Sequence, residues 1–332
     1  MERLLITLIL VCTMNNITNA QNPFYGQYHT PHEAVPFDRI ETEHYEPAIL
    51  EGIKLQNAEI EAIIQNPEKA DFTNTIEAFE ESGKLLDKVV AVFGNMLSAE
   101  TNDDLQELAQ KIMPLLSEHS NNITLNEKLF ARVKEVYNQK ETLQLTQEQK
   151  QLLENAYNSF IRHGANLEGE AREEYRRLTT ELSKLTLTFS ENNLKETNAY
   201  QMLLTKKESL AGLPEIIIEA AAETAKNEEK EGWAFTLHAP SYIPFMTYSD
   251  NRDLRQKLYM AYNTKCTHDN EFNNIDIVKK IANTRMKIAQ LLGYKDYAEY
   301  TLKKRMAENS KSVYKLLNQL LEASVSYTHL TL

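Results

Sequence analysis

Cysteine, glycine and proline are scarce in this sequence of 332 residues, which contains two Cys, nine Gly and nine Pro. Two cysteines cannot supply the cross-links on which small exported domains depend, so we expect a hydrophobic core to provide the stability. Because few residues interrupt helices, long helices are permitted along most of the chain. These scarcities favour a mostly α-helical protein, and 332 residues are enough for one large domain or two ordinary ones.

Basic side chains are also in the minority, with 36 Lys and Arg against 48 Asp and Glu and a formal net charge of −12. Nucleic-acid-binding proteins need basic surfaces to neutralise phosphates, so this balance argues against nucleic acid as a partner. Beyond the first twenty residues no segment is apolar enough to cross a bilayer, and we expect no membrane anchor. The composition predicts an acidic, soluble protein, which we expect to be a monomer.

Paired histidines with metal-ligand spacing are missing. A His-Glu-x-x-His helix places two imidazoles on one face to bind zinc, and its Glu activates the metal-bound water. His32-Glu33 meets Pro36 where the second His would stand, and no two histidines are four residues apart. We therefore predict no catalytic, cofactor-binding or metal-binding residue in this chain. The histidines, which we interpret as structural or surface residues, are His29, His32, His44, His119, His163, His238, His268 and His329.

A lone cysteine and a series of tyrosines are two further candidates for chemistry or binding. Cys266 has only His268 near it in sequence, too close to act as its base, so we interpret it as a partly buried thiol without a catalytic role. The tyrosines between Tyr242 and Tyr300 could line a peptide groove, since an amphipathic ring contacts both backbone and side chains. Their spacing favours core packing instead.

The first twenty residues have the features of an export signal. Arg3 supplies positive charge, and the eleven residues from Leu4 to Met14 are apolar but too few to span a bilayer. Thr18 and Ala20 are small residues at the positions a signal peptidase reads. The sequence therefore predicts cleavage after Ala20 and a periplasmic or secreted mature protein.

Helical periodicity begins near Ala48, after a segment, Gln21–Pro47, that we predict to be an extended arm. Thr73 or Thr75 can begin the next long helix. Thr146 opens a Thr-x-x-Gln capping box, in which two side chains satisfy each other's backbone N–H groups. These signals predict successive amphipathic helices.

A minor β element interrupts the helices. Tyr200–Leu204 is predicted as a short strand, and the alternation in Trp233–His238 is typical of a half-buried one. Asp250 or Asn251 can cap the helix that follows. Gly293 ends a later helix, because glycine tolerates the left-handed C′ position.

Six runs together carry a family resemblance. They are NPF at Asn22–Phe24, PFDRIETEHYEPAILEGI at Pro36–Ile53, FTNTIEAFEESGKLL at Phe72–Leu86, LNEKLFARVKEVY at Leu125–Tyr137, and PFMTYSDNRDLRQKLYMAY with IANTRMKIAQLLGYKDYAEYTL between Pro244 and Leu302. They resemble the amino-terminal half of the thimet-oligopeptidase-like zinc metallopeptidases, most of all the bacterial peptidyl-dipeptidase branch. The resemblance covers about Asn22 to Glu322 and does not include the catalytic motif.

The resemblance implies a neurolysin-like helical clamshell, of which this chain would be one wall, with zinc bound by the catalytic half of the full-length enzyme. It implies an enzyme that releases dipeptides from the carboxyl end of short peptides. Zinc would polarise the scissile carbonyl while the motif Glu acts on water. The alternatives are an oligopeptidase that cuts internally and a non-enzymatic helical peptide-binding or scaffold protein.

The last nine residues differ from those before them. Ser324–Leu332 has no charged residue and departs from the family pattern after a leucine-rich helix. We predict a non-native or frayed tail there. The predicted organisation is thus a signal at 1–20, a helical region of the peptidase at 21–323 and the tail at 324–332.

Overall fold

Helices form most of the part of the chain that the computed structural model describes, from Asn22 to Leu330 with side chains to Val325. The predicted mostly α-helical fold with a minor β element is confirmed. The predicted signal lies outside these residues. The elements are α1 (Thr42–Gln65), α2 (Ala78–Glu80), α3 (Lys84–Ala99), α4 (Asp103–Thr124), α5 (Glu127–Asn138), α6 (Gln147–Arg162), α7 (Gly169–Ala199), β1 (Gln201–Leu204), α8 (Glu215–Asn227), β2 (Trp233–Thr236), α9 (Ala239–Tyr248), α10 (Arg252–Asn263), α11 (Ile275–Leu291), α12 (Tyr297–Leu302) and α13 (Ser310–Leu330).

The described residues divide into two compact units. The first unit comprises the described residues up to Ser183 and those from Lys287 onward, and the second comprises Lys184–Met286. Each has its own cluster of buried apolar side chains. The described part of the helical region predicted at 21–323 therefore comprises two units, each with buried apolar clusters of its own. In the described part of the chain, no helix combines the length and apolar character needed to cross a membrane.

The first long helix begins earlier than predicted. α1 starts at Thr42 and not near Ala48, because Nδ1 of His44 accepts a hydrogen bond from the backbone N–H of Glu41 at 2.9 Å. Together with the Glu41 side chain, which accepts from the His44 backbone, this bond forms a capping box. A capping box satisfies backbone donors that are otherwise free at a helix start. The segment before α1 is anchored by Phe24, which is fully buried. Its ring lies 5.3 Å from that of Tyr45, measured between centroids.

The predicted starts at Thr73 or Thr75 are wrong. Asp71 caps the π-helical turn Phe72–Glu77 that precedes α2, and its carboxylate accepts the backbone N–H of Asn74 at 2.7 Å. The side chain of Asn74 in turn accepts the backbone N–H of Asp71 at 3.0 Å. An Asp-x-x-Asn pair thus performs the exchange that a threonine was expected to begin.

α1 and α3 approach each other closely at a glycine. A Cβ atom on Gly52 of α1 would lie 2.9 Å from the Cα of Leu86 in α3, closer than side chains tolerate. Gly94, also within α3, has open space where a Cβ would be. α3 begins after Gly83, whose positive φ of 78° is accessible to glycine at little cost. The helix pair therefore depends on glycine at position 52 but not at position 94.

Aromatic contacts dominate the largest core cluster of the first unit. The ring of Phe160 in α6 is almost fully buried. Its centroid lies 5.4 Å from that of Phe79 and 5.7 Å from that of Phe130. Aromatic pairs at these separations add stability beyond the area they bury. α2, α5 and α6 are thus joined through one side chain.

Three predicted helix boundaries are confirmed. Thr146 and Gln149 form the capping box of α6, with hydrogen bonds of 3.0 and 3.2 Å. Of the two candidates for capping α10, Asn251 is the one that accepts the Leu254 backbone N–H, at 3.1 Å. Gly293 follows α11 with a φ of 83°. Caps are predictable because each involves residues within one helical turn.

The second unit contains the β element. β1 and β2 pair antiparallel, with Gln201 opposite Thr236 and Leu204 opposite Trp233. The predicted half-burial of β2 is wrong, since Ala234 and Phe235 are both buried. β2 packs against both α8 and α9, so adjacent residues and not only alternate ones are covered.

α9 itself was not predicted. It contains two prolines, Pro240 and Pro244. Pro240 lies in the first turn of α9, where its missing N–H leaves no intrahelical bond unmade. At the other end of the chain, α13 continues to Leu330, past the predicted boundary at Ser324. The origin of the tail stays a prediction.

Candidate functional site

The structure places the described histidines on separate elements. His119 of α4 is buried, with its Nε2 2.7 Å from Oε1 of Gln56, and burial lowers the pKa of its imidazole. His44 caps α1, and His268 pairs with Glu196. His29, His32, His163 and His238 are exposed. The side chain of His329 lies outside the described part of the chain.

A polar cluster in the second unit joins α7 to the loop between α10 and α11. Glu196 of α7 accepts hydrogen bonds from Nδ1 of His268, at 2.7 Å, and from the backbone N–H of Cys266. The Lys265 ammonium donates to Oγ1 of Thr197 at 3.0 Å. We call Glu196, Cys266 and His268 the Glu196 latch. It holds a loop against a helix some 70 residues earlier in sequence.

Two asparagines extend the Glu196 latch along α7. The side chain of Asn274 donates to the Phe189 carbonyl at 3.0 Å and accepts from Asn192 at 2.9 Å. The backbone N–H of Asn274 donates to the Cys266 carbonyl at 2.7 Å, so the loop is closed on itself. Asn274 is buried, and these bonds satisfy its amide group, as burial requires.

The electrostatics of the latch follow from burial and hydrogen bonding. Burial acts to raise the pKa of Glu196, but the hydrogen bonds from His268 and Cys266 outweigh it and hold that pKa below its ordinary value. Burial, reinforced by Glu196, raises the pKa of the Cys266 thiol to about 11. Cys266 is only 5% exposed, so it is more buried than predicted. At neutral pH the carboxylate is charged and the thiol keeps its proton, which makes it a poor nucleophile.

A cavity of about 490 Å³ lies beside the latch. Glu196 and His268 form its polar side, and Leu237 and Met260 contribute apolar surface. A cavity of this size could hold a small ligand group. Its lining offers a carboxylate, an imidazole and the Thr264 hydroxyl, which lies 3.2 Å from Nε2 of His268. That hydroxyl donates to the Met260 carbonyl at 2.7 Å, so we interpret the lining as a surface for binding and positioning.

Sequence reasoning did not find the Glu196 latch. His268 was considered only as a partner for Cys266, whereas both contact Glu196, 72 and 70 residues away in sequence. Glu196 belongs to a charged helix face that has the pattern of a solvated surface. The only local signal was the placement of Cys266 and His268 two residues apart.

The prediction that the tyrosines between Tyr242 and Tyr300 pack in the core holds for Tyr242, which packs against the core of the second unit, but not for the more exposed ones. Tyr248 and Tyr259 of the second unit are 52% and 50% exposed. Tyr262 stacks on Tyr242 with 4.1 Å between ring centroids. In the first unit, Tyr300 packs under a guanidinium rather than in a core, as its ring centroid lies 4.1 Å from Cζ of Arg162.

Comparisons with known proteins identify the family. A model of peptidase family M3 matches residues 245–332. The dipeptidyl carboxypeptidase of Escherichia coli strain K12 is 34% identical over 304 residues, which are 91% of this chain and 45% of that protein. The chain belongs to peptidase family M3. The predicted resemblance is therefore confirmed.

Two further relatives of this M3 chain are named oligopeptidase A and dipeptidyl carboxypeptidase. Oligopeptidase A of Salmonella typhimurium is 30% identical over 303 residues, 90% of this chain and 44% of that protein. The dipeptidyl carboxypeptidase of Salmonella typhimurium is 34% identical over 292 residues, 88% of this chain and 43% of that protein. The M3 chain thus spans less than half the length of these curated relatives.

Family M3 comprises zinc-dependent metallopeptidases, so the described residues can be tested for a zinc site. They contain no group of three or more His, Cys, Asp or Glu that could hold a metal ion. The Glu196 latch pairs only two ordinary ligands side by side, Glu196 and His268, whereas catalytic zinc takes three from the protein. The residues of the latch do not fit zinc. That this chain contains no zinc ligand stays a prediction.

Proposed function

We propose that this M3 chain is the amino-terminal, non-catalytic part of an exported zinc peptidase that releases dipeptides from the carboxyl end of short peptides. The observation that carries the proposal is the alignment of about 90% of this chain with about 45% of a dipeptidyl carboxypeptidase. The residues described in the structure supply helices and a binding cavity but no metal cluster. The part proposed for this chain is to form one wall of a peptide channel.

The experiment compares the 332-residue chain with a chain extended by its native reading frame. We expect the short chain to bind no stoichiometric zinc and to leave short peptides intact, since one histidine alone holds zinc weakly. The extended chain should release carboxy-terminal dipeptides, and a chelator should stop it. Metal analysis and mass spectrometry of the digests provide the measurements. Zinc-dependent cleavage by the short chain would contradict the proposal.

An internally cutting oligopeptidase is the second candidate, because relatives named oligopeptidase A match the chain at 30–32% identity. The same digests separate the two candidates. Successive loss of two residues from the carboxyl end supports the dipeptidase, whereas internal fragments support the oligopeptidase. An extended chain that binds peptides without cutting them would favour a non-enzymatic binding protein.

Export forms a separate part of the proposal. It rests on the apolar run Leu4–Met14 and the small residues Thr18 and Ala20. Amino-terminal sequencing of the protein recovered from the periplasm or medium should begin at Gln21. A mature protein that retains Met1 would exclude cleavage after Ala20.

A further inference from the structure

The helix α13 exposes a set of leucines that the described residues leave largely uncovered. Their exposed fractions range from 50% to 60%. Core leucines of the same unit, such as Leu129 and Leu153, are at most 1% exposed. We call the exposed set the leucine face. It consists of Leu316, Leu317, Leu320 and Leu321.

The leucine face is one side of an amphipathic helix. Its members recur at steps of three and four residues, which places them on one side of α13. Lys311, Lys315 and Glu322 fall on the opposite side at 3.6 residues per turn. A helix with one apolar and one charged side is stabilised by burying the apolar side against another element. Contiguous exposed apolar surface of this kind marks an interaction site.

The extent of the family match indicates what covers the leucine face. The family model matches residues 245–332, so α13 lies within a segment shared with M3 peptidases. The relatives are more than twice as long as the part that this chain matches. Their remaining length is therefore available to cover this face.

We propose that the leucine face docks onto the part of an M3 peptidase that this chain does not span. The inference rests on the proposed function and adds a physical contact to it. Burying four leucines supplies a hydrophobic driving force for association, and the charged opposite side of α13 stays in water. The contact would hold the zinc-binding part of the peptidase to the helical part described in the structure.

The test expresses the 332-residue chain together with the part of the Escherichia coli dipeptidyl carboxypeptidase outside its aligned 304 residues. The two polypeptides should elute together at a ratio of one to one. In the chain carrying Leu316→Ser and Leu320→Ser, the affinity should fall by about tenfold or more for each leucine. The matched control carries Lys315→Ser and Glu322→Ser, which changes the opposite side and keeps the net charge. It should bind within about twofold of the unsubstituted chain.

A second measurement needs no partner. In the 332-residue chain alone, the double leucine substitution should leave the melting temperature nearly unchanged, because exposed sites contribute little to stability. A large drop would show that this chain covers its own leucine face, and would overturn the proposal. Failure of the unsubstituted chain to bind the partner would overturn it too. So would a homodimer that the leucine substitutions dissociate, since the occupant would then be a second copy.

The outcomes also separate this inference from the proposed function. A complex that forms through the leucine face but cuts no peptide counts against the proposed function alone. An active complex that the leucine substitutions leave intact counts against the docking proposal alone.

Discussion

Each of the two units is stabilised internally by a different kind of contact. In the first unit, distant segments meet through packed aromatic rings around Phe160 and through the close approach at Gly52. In the second, the loop after α10 is fixed to α7 by hydrogen bonds to one carboxylate, that of Glu196. Apolar packing depends on volume, whereas a polar latch depends on charge and geometry. The two units should therefore respond differently to substitution and to pH.

The largest effect is expected in the aromatic core. Phe160→Ala removes a buried ring that contacts two others, so it should lower the free energy of unfolding by about 3–5 kcal/mol. Phe37→Ala is the matched control, because Phe37 is 51% exposed and its loss should cost much less. Urea unfolding followed by circular dichroism measures both. Equal losses for the two substitutions would mean that the buried ring of Phe160 stabilises the protein no more than the exposed ring of Phe37, which would contradict the prediction.

A smaller effect is expected where α1 and α3 meet. Gly52→Ala places a methyl group against the Leu86 backbone, and we expect a net loss of about 1–2 kcal/mol from overpacking. Gly94→Ala adds the same group in open space within α3 and should stabilise the protein by about 0.5–1 kcal/mol. The opposite signs in thermal or urea unfolding test the close approach. A stabilising Gly52→Ala would show that the helices can separate at no cost.

The smallest effect is expected in the latch. Glu196→Gln keeps an acceptor but loses the charge that strengthens its bonds with His268 and the Cys266 N–H, and should cost about 1 kcal/mol at neutral pH. Asp276→Asn is the control, because the Asp276–Lys279 pair is exposed and contributes little. If the two substitutions lowered the free energy of unfolding equally, the Glu196 latch would contribute no more to stability than an exposed ion pair.

The latch should also depend on pH. The folded-state pKa of Glu196 lies below its ordinary value of 4.5, so its stabilising charge is fully present above that value. As the pH falls through the lowered pKa, the folded protein binds the proton and this contribution is lost. The stability difference between the unsubstituted chain and Glu196→Gln should therefore shrink below pH 4.5, as urea unfolding at neutral and acidic pH can show. Phe160→Ala should cost the same at both.

The sequence predicted what depends on neighbouring residues. The capping box at Thr146, the helix end at Gly293 and the strand β1 all rest on patterns a few residues long. Burial of both Ala234 and Phe235 was missed, because it depends on helices that pack against β2.

The candidate site was harder to predict than the fold. The latch joins Glu196 to residues some 70 positions later, and no local spacing encodes that contact. On sequence alone, Glu196 cannot be told from the solvated carboxylates around it. Family membership was predictable, by contrast, because it depends on long runs of residues rather than on one tertiary contact.

The pairing of Trp233 with Leu204 has a practical consequence. Trp233 is the only tryptophan of the sequence, and it lies on β2 beside the core of the second unit. Its fluorescence, excited selectively over that of the tyrosines, is therefore an intrinsic optical label for the second unit alone. Unfolding curves recorded by fluorescence and by circular dichroism would coincide if the units unfold together and separate if they do not.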